Sequence, residues 1–130
     1  MYSFNVTLKK PYADAYDILM GALQAEKFGV VSDINVQAVL KNKMDVDYPG
    51  YRILGACKPG IAKQIADADP DAGVLLPCSI LIRETQDGNS VIAFMDPVEV
   101  LGLSESKTVH TLAAEAKQEL LAVVARLEKL

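Results

Sequence analysis

Cys57 and Cys78 are the two cysteines of the chain, with twenty residues between them. Cys57 ends the run Tyr51-Arg-Ile-Leu-Gly-Ala-Cys57, and Cys78 follows Gly73-Val-Leu-Leu-Pro77. A deprotonated thiol is a nucleophile, a redox group and a soft metal ligand, so these residues are the first candidates for chemistry. Each run reads as a buried strand or its edge. The stretch between reads as a short helix opening at Pro59, whose fixed φ suits a first helical turn. If the two strands are antiparallel, such a connection returns both thiols to one rim of the sheet. If they are parallel, the thiols lie at opposite ends. Lys58 and the nearby helix N-terminus both favour a thiolate at Cys57, and Cys78 has no comparable helper. The plainer reading is two small buried side chains, because free cysteine is among the most buried residue types.

Other chemistries fail on residue type or spacing. Two cysteines and the single His110 lack the closely spaced ligand pairs of structural zinc, so no metal site is expected. His110 reads as a partly exposed residue of the last helix. Asp67, Asp69 and Asp71 alternate as in a calcium loop, but position six is Ala72 and position twelve is Cys78, where glycine and glutamate are required. The segment Lys58-Pro-Gly-Ile-Ala-Lys63 lacks the phosphate-loop pattern, and no Gly-x-Ser-x-Gly elbow occurs. No cofactor is expected. Asp96, ahead of Pro97, suits a capping carboxylate at a strand end, or alternatively a carboxylate at a pocket mouth.

The elements that must position these residues follow from periodicity. Tyr2, Phe4, Val6 and Leu8 alternate with polar residues, a half-buried strand. Helical spacing runs from about residue 11 to 28 through Ala15, Ile18, Leu19, Ala22 and Leu23, with Gly29 as a stop. A strand over 30–34 precedes Asn35, which suits the N-cap of a helix ending near Met44 with Val36, Val39 and Leu40 buried. The strands 51–57, 79–85 and 90–95 follow, the last two joined by a hairpin at Asp87-Gly88. A linker runs from Asp96 to Gly102. Ser104 suits the N-cap of a last helix over 104–130, with Val109, Leu112, Ala116, Leu120, Val123 and Leu127 on one stripe. The order β-α-β-α-β-α-β-β-α predicts an α+β fold: a small mixed, largely antiparallel sheet packed against helices, in one domain spanning residues 1–130.

Composition sets the remaining bounds. The chain has 130 residues, 51% of them hydrophobic and 23% charged, with a net charge of −4. That length buries enough surface to fold without disulfides or metal. A mildly acidic chain with scattered charges lacks the footprint of a nucleic-acid binder. The longest apolar stretch, Val74 to Ile82, is far short of the ~20 residues of a membrane helix. The N-terminus does not read as a secretory signal. A cytoplasmic location is therefore expected, where thiols stay reduced.

Four ordered blocks carry a resemblance: Phe28-Gly-Val-Val-Ser-Asp-Ile-Asn-Val-Gln-Ala-Val-Leu-Lys41, Tyr51 to Cys57, Gly73-Val-Leu-Leu-Pro-Cys78 and Met95-Asp-Pro97. Together they resemble the domain of unknown function 302 family, with a core over about 28–97. The resemblance implies a small α+β domain that pairs as a homodimer, and it supplies no activity. Some relatives are encoded beside sulfur-trafficking proteins. Cys57, Cys78 and Asp96 match the family pattern. Lys58 and Ser79 stand where an asparagine commonly follows each cysteine, a departure that bears on any site built from amide hydrogen bonds.

Two functional expectations result. The first is a homodimeric module without catalysis that binds a small ligand or a protein partner. The doubled apolar positions Leu120-Leu121 and Val123-Val124 widen the last helix's stripe in its favour. The second is a cysteine-dependent sulfur carrier or thiol-redox protein using Cys57, Cys78 or both, with Lys58 and Asp96 as neighbours. No acid–base or nucleophile constellation supports a conventional hydrolase or transferase.

Overall fold

A computed structural model describes all residues, 1–130. Its five strands are β1 (Ser3–Leu8), β2 (Gly29–Asn35), β3 (Tyr51–Cys57), β4 (Cys78–Glu84) and β5 (Ser90–Met95). The helices are α1 (Tyr12–Ala25), α2 (Val36–Met44), α3 (Pro59–Ala68), α4 (Pro97–Leu101) and α5 (Lys107–Glu128), with a 3-10 segment over Pro70–Leu75. The strands form one sheet in the order β1-β5-β4-β3-β2. Every pairing is antiparallel, so the fold is α+β. No helix is long and apolar enough to cross a membrane.

Strand alternation gives the sheet two unlike faces. Val6, Leu8, Leu54, Ala56, Cys78, Ile80, Ile82, Ile92 and Phe94 share one parity and join an 18-residue core. Against them pack Ala15, Leu19, Ala22 and Leu23 of α1 and Leu120, Val123, Val124 and Leu127 of α5. The rings of Phe4 and Phe94 stack across β1 and β5 at 5.6 Å. A second, six-residue core lies under the N-terminal half of α5: Ile65, Ala72, Leu101, Val109, Leu112 and Ala113. It contains no strand residue. Helix α5 is the beam common to both, which explains why its apolar stripe persists for 22 residues.

Several local expectations change in the folded chain. Helix α1 ends before Gly29. Lys27 takes the left-handed conformation at φ 65°, and the Phe28 N–H reaches back to the Leu23 carbonyl, a Schellman-type closure. Gly29 is thereby free to begin β2. Asn35 does cap α2, its side chain accepting from the Ala38 N–H at 3.0 Å, but α2 buries none of its residues and Val39 is 47% exposed. The segment 96–102 is not a plain linker. Asp96 caps the short helix α4. The N-cap of α5 is Ser106, which accepts from the Val109 N–H at 3.3 Å, and Ser104 is engaged elsewhere. In the β4–β5 hairpin, Gly88 adopts φ 82°, a conformation an L side chain would strain.

Candidate functional site at the β3–β4 rim

Cys57 is the last residue of β3 and Cys78 the first of β4. The strands are antiparallel, and Ala56 lies directly opposite Cys78. Helix α3 and the 3-10 segment span the gap, so both thiols stand at one end of the sheet. Both line a single cavity of about 30 Å³. Phe28, Ala56 and Ala116 form part of its wall, with Lys58 and α3 on another side and Leu76, Pro77 and Leu101 closing it. The cavity lies on the seam between the two cores: Phe28, Ala56 and Cys78 belong to the larger, Ile65 and Leu101 to the smaller.

The thiols differ in setting. Cys57 is half-buried, whereas Cys78 is only 8% exposed. Burial first, and then the nearby Cys57 thiolate, push the Cys78 thiol up to about 11. At neutral pH Cys78 is therefore a protonated, weakly nucleophilic thiol.

Lys58 is the N-cap residue of α3 by position, but its donor-only ammonium cannot accept from the first-turn N–H groups. Its Nζ lies 3.1 Å from Glu119 Oε2 and 4.7 Å above the centroid of the Phe28 ring. The Glu119 oxygen is buried and accepts no hydrogen bond of normal geometry, so its contact with Lys58 is charge–charge attraction. A cation–π contact and this ion pair fasten α3 to α5 beside the cavity.

Asp96 is buried and also occupied. Oδ1 accepts from the Val98 N–H at 2.9 Å, and Oδ2 lies 2.9 Å from Lys117 Nζ. Burial pushes the carboxyl up, but Lys117 and the Val98 N–H together outweigh it and hold the group below the usual carboxylate range. The β4–β5 pairing ends at Ile80↔Phe94, short of Cys78 and Asp96. The Asp96 carboxylate does not line the cavity.

Two polar clusters have no signature in the linear sequence, because their members come from separate elements. Ser104 donates to Asp69 at 2.6 Å, and the His110 ring meets the Ser104 carbonyl. The three residue types of a hydrolytic triad thus meet, but the imidazole contacts a backbone oxygen and not the hydroxyl, so no nucleophile is activated. At the far end of β3, Tyr16 donates to Asp33 at 2.6 Å and Arg52 pairs with Asp33 at 3.0 Å. That hydrogen bond raises the Tyr16 phenol above its ordinary range, and burial does the same for Tyr12. Gly50 passes under the Tyr12 ring, where a Cβ would come within 2.8 Å. This second group locks α1 to β2 and β3.

The comparisons follow from this architecture. The family model described as "Domain of unknown function DUF302" matches residues 4–127. The chain belongs to the DUF302 family. The crystal structure of an uncharacterized conserved DUF302 protein from Bacillus stearothermophilus superposes with a TM-score of 0.88 at 23% identity, covering 98% of each chain. At that identity the likeness is one of fold. No curated protein matches the chain. The DUF302 assignment extends well beyond the core expected at 28–97, taking in β1, α1 and nearly all of α5.

Proposed function

We propose that this DUF302 protein is a cytoplasmic binding module that works as a homodimer, joined through the sheet face opposite α1 and α5. The observation that supports this is a row of apolar side chains crossing that face in register: Ile34 opposite Ile53, Ile53 opposite Leu81, Leu81 opposite Ala93. Ile34 is 51% exposed, and Arg83 is the charged strand residue of that parity. Ser3, Asn5, Thr7, Ser32 and Ser79 share the face and surround this row, and the apolar row at its centre is disfavoured against water. Five strands of six or seven residues present roughly 450 Å² at usual strand spacings. Two such faces would bury about 900 Å², close to the lower limit of a specific interface. A second copy supplies a matching apolar row, with Arg83 of each copy at its margin. A depression of about 420 Å³ beside Leu81, Arg83 and Ala93 offers space for a small ligand. In a reducing cytoplasm Cys57 and Cys78 stay thiols.

Sedimentation of the purified protein tests this. The expected species has twice the 14.0 kDa chain mass, and Leu81→Arg yields a folded monomer. A monomeric parent protein at tens of micromolar, or a Leu81→Arg variant that remains dimeric, would refute the interface.

A second reading, a cysteine-dependent sulfur carrier or thiol-redox protein, is supported by a different observation. Two thiols from separate strands open on one apolar cavity.

A further inference from the structure

We infer that Cys57 is the single entry point for thiol–disulfide exchange, and that it retains a small thiol as a stable mixed disulfide while Cys78 behind it stays reduced. The inference rests on the second reading above and gives it a substrate class, small aliphatic disulfides. Three observations carry it. Cys57 is the less buried thiol of the pair, whereas Cys78 is more than nine-tenths buried, has no hydrogen-bond partner and lines the cavity. The register sets Cys78 opposite Ala56, not Cys57. Cys57 lies one residue beyond that pair, so Cys57 and Cys78 are not the directly opposed pair that a cross-strand disulfide needs. Finally, the cavity has room for about one water-sized group. A bonded sulfur atom fits there, and the organic remainder must project past the mouth.

The step balances without a further reactant. The Cys57 thiolate attacks one sulfur of R–S–S–R. The reagent's S–S bond breaks as the Cys57–S–S–R bond forms, and RS⁻ leaves with the electron pair and takes a proton from water. Resolution would require Cys78 to attack next and expel a second RS⁻. Its proton, held by burial with the thiol up at about 11, opposes that attack.

Incubation with bis(2-hydroxyethyl) disulfide at pH 7.5, read by intact-protein mass, tests the assignment. The parent protein and Cys78→Ala are each expected to gain one hydroxyethylthio group, reversed by reductant, and Cys57→Ala none. A parent protein that instead loses two hydrogens has formed the internal disulfide. That overturns the inference and leaves a thiol-redox role standing. An adduct on Cys57→Ala equal to that of the parent also overturns it. No modification of any form overturns the inference together with the reading beneath it.

Discussion

The two cores of this chain are built on different terms. The larger is closed by a sheet whose registers join residues far apart in sequence, Phe4 with Phe94 for example. The smaller is closed by α3, the 3-10 segment and α4, of ten, six and five residues, packed on one end of α5. Short helices draw little stability from their own hydrogen bonds and depend on packing. With six buried residues against eighteen, the smaller core has fewer neighbours to exclude water. It is therefore the unit expected to open first. The Cys57–Cys78 cavity lies on the boundary, so access to Cys78 is governed by the weaker side.

The same truncation placed in each core gives the sharpest test. Ile80 and Ile65 are both essentially inaccessible. Ile80→Ala, in the middle of the sheet, is expected to cost about 4 kcal/mol, because paired strands cannot collapse into the void. Ile65→Ala is expected to cost about 2 kcal/mol, as α3 can settle toward α5. Denaturant midpoints at unchanged m-value measure both. Equal costs would show one cooperative core instead of two.

Cys78 supplies a pH-dependent version of the comparison. Its thiol, ordinarily near 9, is raised to about 11 in the folded chain, so folding favours the protonated form. The contribution is complete below about pH 9 and is lost as pH rises through about 11, a fall of about 3 kcal/mol. Other groups titrate in that range, so the quantity to measure is the difference in alkaline slope between the parent protein and Cys78→Ala. Identical slopes would mean that water already reaches Cys78 through the seam.

These contrasts were only partly legible in the sequence. Strand alternation at Phe4, Val6 and Leu8, the Asp87-Gly88 turn and the long stripe of α5 all report local periodicity, and the structure keeps them. The rim position of the thiols followed from a conditional argument, and the antiparallel β3–β4 pairing meets its condition. What failed was local chemistry decided by distant partners. Ser104 looked like a cap because serine precedes an apolar stripe, but Asp69, 35 residues away, takes its hydroxyl. Lys58 does line the cavity with both thiols, and its ammonium also engages Glu119 and Phe28, partners that sequence order does not reveal. Val39 and Leu40 have helical spacing, but α2 lies outside both cores, so Val39 is exposed and Leu40 only partly buried. The α4 helix did carry a signal, an Asp-Pro pair suited to N-cap and first turn, which the short length of the segment obscured.

Ser104 also offers the gentlest probe of the smaller core. It is 8% exposed, donates to Asp69 at 2.6 Å and accepts from the Ser106 N–H at 3.2 Å. It thereby ties the end of α3 to the start of α5. Ser104→Ala removes both bonds, for an expected cost of about 1 kcal/mol. The location of that loss is more informative than its size. Hydrogen exchange should accelerate at the amides of α3 and α4 and stay unchanged at those of β4 and β5, since opening the smaller core leaves the sheet closed. Asp69→Ala should reproduce the pattern, and the double variant should cost less than the sum, because the two residues share one bond. Uniform acceleration across the sheet would instead mean that the seam does not divide the molecule, and that Cys78 is reached only by global unfolding.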